Sequence, residues 1–85
     1  MPSRSVIVGS AVGLHARPAA LIADVAGKLD AEVTLAVPGG EPVDAGSALL
    51  IMTLGAGQGD TVVVSSDDPE ALATVAGLVE QDLDA

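Results

Sequence analysis

"GLHARPAALIADVAGKL", residues 13–29, changes its period at the proline, and that change organises the reading of the whole chain. After Pro18 the apolar residues Leu21, Ile22, Val25, Ala26 and Leu29 recur at i, i+1, i+4, i+5 and i+8, the spacing of one stripe of an α-helix. Proline lacks the amide that a helix interior needs, so Pro18 is tolerated only in an opening turn. The pattern predicts a helix from about Ala16 to Leu29 that begins beside His15.

The flanking segments follow other periods. "SRSVIVG", residues 3–9, is a β-branched run ended by Gly9, a first strand, and "SAVG", residues 10–13, is the loop that follows. Val33, Leu35 and Val37 alternate until Pro38-Gly39-Gly40, and the pattern resumes at Pro42-Val43, which predicts a hairpin of strands two and three. "SALLIMTLG", residues 47–55, predicts a short helix with Ser47 as its cap and Gly55 as its stop. "AGQGD" is a loop and "TVVVSS", residues 61–66, a fourth strand. Asp68 as a cap and Pro69 at the first helical position open a final helix with a stripe of Leu72, Val75, Ala76, Val79 and Leu83.

The order is βαββαβα. Such elements, each with one apolar face, predict a two-layer α+β sandwich: three helices on one face of a mostly antiparallel four-stranded sheet, with water on the other. The 85 residues make one domain, 1–85, near the lower size at which an apolar core suffices without staples. The core must be built from Val, Leu, Ile and Ala, because the chain has no aromatic residue.

Composition excludes several functions. Without cysteine there is no disulfide, no thiolate metal site and no thiol nucleophile, and a lone histidine does not make a zinc site, so neither metal nor cofactor is expected. A net charge of −9, from 12 acidic and 3 basic residues, and the absence of stacking side chains argue against nucleic acid. The hydrophobic fraction of 49% argues against disorder. No stretch has the length of a bilayer span or a signal peptide, which predicts a cytoplasmic protein without membrane insertion, acting as a monomer.

Against this acidity, two of the three cationic side chains, Arg4 and Arg17, fall in the first seventeen residues. A helix start exposes unpaired amides and carries about half a positive elementary charge, which suits an anion. His15 stands at that start, and a neutral imidazole has a lone pair that can attack phosphorus. A phosphoryl group on His15 would be solvated by the amides of Ala16 and Arg17, with charge-assisted bonds from the Arg17 guanidinium. Residues two apart on a helix do not face each other, so Arg17 would have to fold its stem over the open end. Asp24 lies about 13 Å further along the helix, beyond a screening length of about 8–10 Å, so the local field dominates. Spacing alone also accommodates an ordinary surface or capping histidine.

"GLHARPAA", residues 13–20, resembles the active-site motif of HPr, the histidine-containing phosphocarrier family of the bacterial phosphoenolpyruvate:sugar phosphotransferase system. "GSALLIMTLGAGQGDTVVV", residues 46–64, is similar to the family's regulatory-serine helix and the turn into strand four, and the likeness covers essentially the whole chain. It implies an open-faced β-sandwich with sheet order 1-4-2-3. It implies that His15 accepts a phosphoryl group on Nδ1 from enzyme I, charged by phosphoenolpyruvate, and passes it to a sugar-specific IIA component. Arg17 would stabilise the phosphate. Ser47 matches the serine that a metabolite-responsive kinase modifies in many Gram-positive members, which implies a serine kinase/phosphatase as a further partner; a helix cap explains the same residue without a kinase. Ala48, Leu49 and Met52 match positions that meet partner proteins.

The chain departs from the family at several places. Val12 stands where a polar residue often ties down the active-site loop, which leaves two alternatives, Ser10 as its substitute or a looser loop. Asp24 and Gly27 replace basic residues of the first helix, Gly46 precedes the serine where Lys is frequent, and Leu50 also replaces a common Lys. By periodicity Leu50 and Leu54 fall on one side of the short helix and Leu49 and Met52 on the other, leaving open whether the apolar run is core or an interaction surface. No phosphate-binding loop or carboxylate pair for Mg²⁺ is visible, so the expected role is stoichiometric carriage and not enzymatic turnover. Two alternatives share the fold: a regulatory docking protein, and a donor to a dihydroxyacetone-kinase-type partner.

Overall fold

The computed structural model describes residues 1–83; of the expected domain 1–85, positions 84 and 85 lie outside the described residues. The elements are β1 (Ser3–Ile7), α1 (Ala16–Lys28), β2 (Thr34–Ala36), β3 (Val43–Asp44), α2 (Ala48–Met52), β4 (Thr61–Ser65) and α3 (Pro69–Glu80), in the order the hydropathy pattern predicts. Each boundary has a local cause. Pro18 is the third residue of α1, where its missing amide has no intrahelical acceptor, and the first helical bond runs from the Ala19 amide to the His15 carbonyl at 2.9 Å. The Asp68 carboxylate accepts from the amides of Glu70 at 2.9 Å and Ala71 at 3.5 Å and so closes the start of α3. The hairpin turn has the Gly40 amide on the Val37 carbonyl at 2.9 Å, with Gly39 at φ 78° behind Pro38, the arrangement of a type II turn.

The strands form one sheet in the order β1-β4-β2-β3, and all three pairings are antiparallel. Val6 lies opposite Val62 and Leu35 opposite Val64, and these four are buried. They meet Ile22 from α1, Ile51 from α2 and Val75 and Val79 from α3, all of them buried in one cluster. Fully burying a Val, Leu or Ile is worth about 1.5–3 kcal/mol each, which is how a core without aromatics holds a domain of this size. On the opposite face Ser5 pairs with Val63 and Ile7 with Thr61, and Ile7 is exposed. The α+β sandwich is therefore open on one side, as the alternation of the strands requires.

Three details differ from the sequence reading. Leu21 is 41% exposed, whereas Pro18, Ala19, Ile22 and Ala26 are buried. The stripe of α1 is rotated by part of a turn, because the helix packs against both α2 and α3 and turns its small residues inward. In α2 the core residue is Ile51, fully buried, while Leu49 is 69% and Leu50 41% exposed. The expected pairing of Leu50 with Leu54 against Leu49 with Met52 fails because the helix is only 5 residues long, and its register is set by the Ser47 cap and the Ile51 anchor. Leu83 packs partly buried against the core, but α3 ends at Glu80, so Leu83 reaches it from the segment after the helix.

Candidate functional site

The loop between β1 and α1 is held from two sides. On one side the Val8 amide donates to the Asp60 carbonyl at 2.9 Å, the Gly59 amide donates to the Val8 carbonyl at 3.0 Å, and the Leu14 amide donates to the Ala56 carbonyl at 2.9 Å. Gly13 turns the chain at φ +73°, and a Cβ there would stand 2.5 Å from the Ala56 oxygen and 2.8 Å from the Gly57 Cα. Only glycine fits both the backbone conformation and this close approach. On the other side the Gly9 amide donates to the Val79 carbonyl at 3.1 Å, and the Ser10 hydroxyl engages residues 81 and 83.

The loop delivers His15 as the N-cap of α1, in an extended conformation with φ −99° and ψ −165°. Its side chain makes no capping hydrogen bond. Among the described residues nothing accepts from the amides of Ala16 or Arg17, and Pro18 has none to offer. Two donors at the positive end of a 13-residue helix thus stand open beside an exposed imidazole. Arg17 is exposed, and no described carboxylate neutralises it; the one ion pair among the described residues joins Lys28 to Asp24 at 3.1 Å, at the other end of the helix. That pair cancels the acidic charge of Asp24 locally and leaves Arg17 as the cation nearest His15 along α1.

Beside the histidine is an open cleft of about 220 Å³ lined by Val12, Leu14, His15, Met52, Gly55, Ala56 and Gly57. Its other side chains are apolar, and His15 is its one titratable group. Met52 therefore shares the cleft with His15, while Ser47, Ala48 and Leu49 do not line it, Ser47 and Ala48 half-buried and Leu49 exposed. Ser47 caps α2, its hydroxyl accepting from the Leu50 amide at 3.2 Å. A larger cleft, about 320 Å³, lies at the far end of α1 among Met1, Asp30, Ala31, Glu32, Ser66, Asp67 and Asp68. Its acidic side chains have no basic side chain among them, whereas the smaller cleft carries the imidazole and no carboxylate.

One contributor was not assigned from sequence, and one acts through partners the sequence did not indicate. Ala56 and Gly57, which receive Gly13 and Leu14, carry no side-chain signal at all. Ser10 is fully buried, and its hydroxyl ties the loop to residues 81 and 83, partners that the sequence did not indicate. Among the described residues no helix is long and apolar enough to cross a membrane, and no group of three or more His, Cys, Asp or Glu could hold a metal ion.

An open-faced α+β domain that offers an exposed histidine at an uncapped helix start, next to an apolar cleft, defines a class of small proteins suited to holding an anion on an imidazole. The family described as the PTS HPr component phosphorylation site matches residues 2–81. The chain is 41% identical over 80 residues to a phosphocarrier protein HPr of Streptomyces coelicolor, covering 94% of this chain and 86% of that protein. The crystal structure of HPr-C-His from Thermoanaerobacter tengcongensis superposes with a TM-score of 0.87 at 32% identity, covering 100% of this chain and 98% of the other. A phosphocarrier protein HPr from Bacillus anthracis gives 0.83, also at 32% identity, over 92% and 95% of the two chains. The protein belongs to the HPr family of the phosphotransferase system.

Proposed function

We propose that this protein is a cytoplasmic phosphocarrier that receives a phosphoryl group on His15 from phosphoenolpyruvate-charged enzyme I and hands it to a sugar-specific IIA component. The observation that carries the reading is the uncapped start of α1: an exposed His15 with the Ala16 and Arg17 amides unclaimed by any described acceptor. Nδ1 attacks phosphorus while the bond between phosphorus and the donor breaks, so the phosphoryl group moves without release to water. The two amides and the Arg17 guanidinium then share its negative oxygens, a stabilisation that costs no rearrangement because the donors are already oriented. Transfer onward repeats the exchange with the acceptor as nucleophile. The protein supplies one half of each active site and is modified stoichiometrically.

The partners would dock over the cleft, on Met52 and Val12 and on the neighbouring Ala48 and Leu49. Leu49 at 69% and Val12 at 59% exposure support such a surface, since both are large apolar side chains left in water. Methionine suits a face that must fit several partners in turn. Ser47 lies on the same short helix, where a phosphate would add negative charge close to this surface and oppose docking by acidic partners.

The test is incubation with phosphoenolpyruvate and enzyme I, followed by intact-mass measurement. The reading predicts an acid-labile adduct of one phosphoryl group that disappears in His15→Ala. No adduct, under conditions that label another HPr, refutes it.

A further inference from the structure

We infer that Ser10 is a positioning residue for His15: its buried hydroxyl latches the loop that presents the histidine to the segment following α3. The inference rests on the reading of His15 as the phosphoryl acceptor and adds a residue to its machinery. Ser10 has no exposed surface, and its hydroxyl does two things at once: it donates to the Gln81 carbonyl at 3.2 Å and accepts from the Leu83 amide at 3.1 Å. Its own carbonyl accepts from the Gly13 amide at 2.9 Å, closing the four-residue turn that leads through Leu14 into His15. One residue therefore joins the C-terminal segment, 71 and 73 positions away, to the turn whose exit direction sets where the helix cap stands.

The adjoining contacts run the same way. The Gly9 amide is held by the Val79 carbonyl, and a Cβ on Gly9 would overlap the Glu80 carbonyl oxygen, so the loop and the end of α3 touch backbone to backbone. The opposite wall, the Leu14 amide on the Ala56 carbonyl, fixes the loop from one direction only. With the hydroxyl removed, the Gln81 carbonyl and the Leu83 amide lose their buried partner, and the turn at residues 10–13 is held laterally only at its two ends, by the Gly9 bond to Val79 and the Leu14 bond to Ala56. A loop freed in this way lets His15 depart from the geometry in which its neighbouring amides meet the transferred group, and sub-ångström to ångström misplacement is what slows transfer.

The test is a double-mutant cycle of Ser10→Ala, which removes both hydrogen bonds of the hydroxyl, and Leu83→Pro, which removes only the one donated by the Leu83 amide. Three quantities are read: kcat and KM for phosphorylation by enzyme I, and amide exchange at Gly13 and Leu14. Each single variant should lower kcat about tenfold with KM within about twofold, and should speed exchange of the Gly13 amide. The double variant should be no slower than Ser10→Ala alone, because the bond lost in Leu83→Pro is one of the two already lost with the hydroxyl. A folded Ser10→Ala with unchanged kcat and unchanged Gly13 exchange overturns the inference, as do additive effects. A variant that loses its cooperative thermal transition overturns it too, since the bonds would then serve the whole fold and not the site. If the unmodified protein takes no phosphoryl group, the carrier reading fails, while the exchange measurement still decides the latch.

Discussion

α1 and α3 both carry a proline in the first turn, yet their starts are finished in opposite ways. At α3, Pro69 takes the first position and Asp68 spends its carboxylate on the amides of Glu70 and Ala71. At α1, Pro18 takes the third position, removing the donor that a capping side chain would most readily reach, and His15 makes no capping bond. The same fold thus contains one helix start closed by an internal anion and one without a side-chain cap. A cap is worth about 0.5–2 kcal/mol, so leaving α1 uncapped costs stability of that order. In the proposed function, anion binding rests on this local omission and not on the net charge, which is −9 for the whole chain.

The contrast can be broken by making α1 resemble α3. His15→Asp should abolish labelling by enzyme I completely and raise the unfolding free energy by about 0.5–1 kcal/mol, because the carboxylate can accept from the Arg17 amide. Intact mass and thermal unfolding read the two effects, and a variant that is both unlabelled and destabilised would contradict the claim that this helix start is uncapped. Next in size, Arg17→Ala should slow phosphoryl transfer about ten- to a hundredfold with its thermal midpoint nearly unchanged. A transfer rate equal to that of the unmodified protein would remove Arg17 from the site. Asp68→Ala should do the reverse: a loss of about 1 kcal/mol, or about 4–8 °C in Tm, with transfer kinetics unaltered. A change in kcat there would mean that the two helix starts are coupled. The smallest effect is expected for Lys28→Ala, within about 0.5 kcal/mol, because its partner Asp24 is an exposed i, i+4 neighbour; a larger loss in chemical denaturation would give that pair a role beyond the surface.

The legible parts of this molecule are those whose cause is local. Pro18 and the Asp68-Pro69 pair place two helix starts, and Pro38-Gly39-Gly40 places the hairpin, because each acts through its own backbone. Long-range features were illegible to the same degree that their partners are distant. Ser10 bonds to residues 81 and 83, and nothing in "SAVG" indicates that the hydroxyl is buried there. Leu21 and Ala19 compete for the inner face of α1, and the apolar pattern admits either until α2 and α3 are in place. Sheet order followed from family likeness alone; periodicity says which face of β4 is inward but not that β4 enters between β1 and β2. For the site, the histidine and its two following amides were readable from the proline, whereas the cleft depends on Met52 and Gly55–Gly57 arriving from the other half of the chain.

The central claim is that the phosphoryl group sits against the open amides of α1. The direct measurement is a pair of amide proton–nitrogen correlation spectra, recorded before and after phosphorylation by enzyme I. The account predicts that the Ala16 and Arg17 amide protons move downfield as they take up charged acceptors, while Glu70 and Ala71, already held by Asp68, stay in place. A fully phosphorylated protein in which the Ala16 and Arg17 resonances do not move would contradict it.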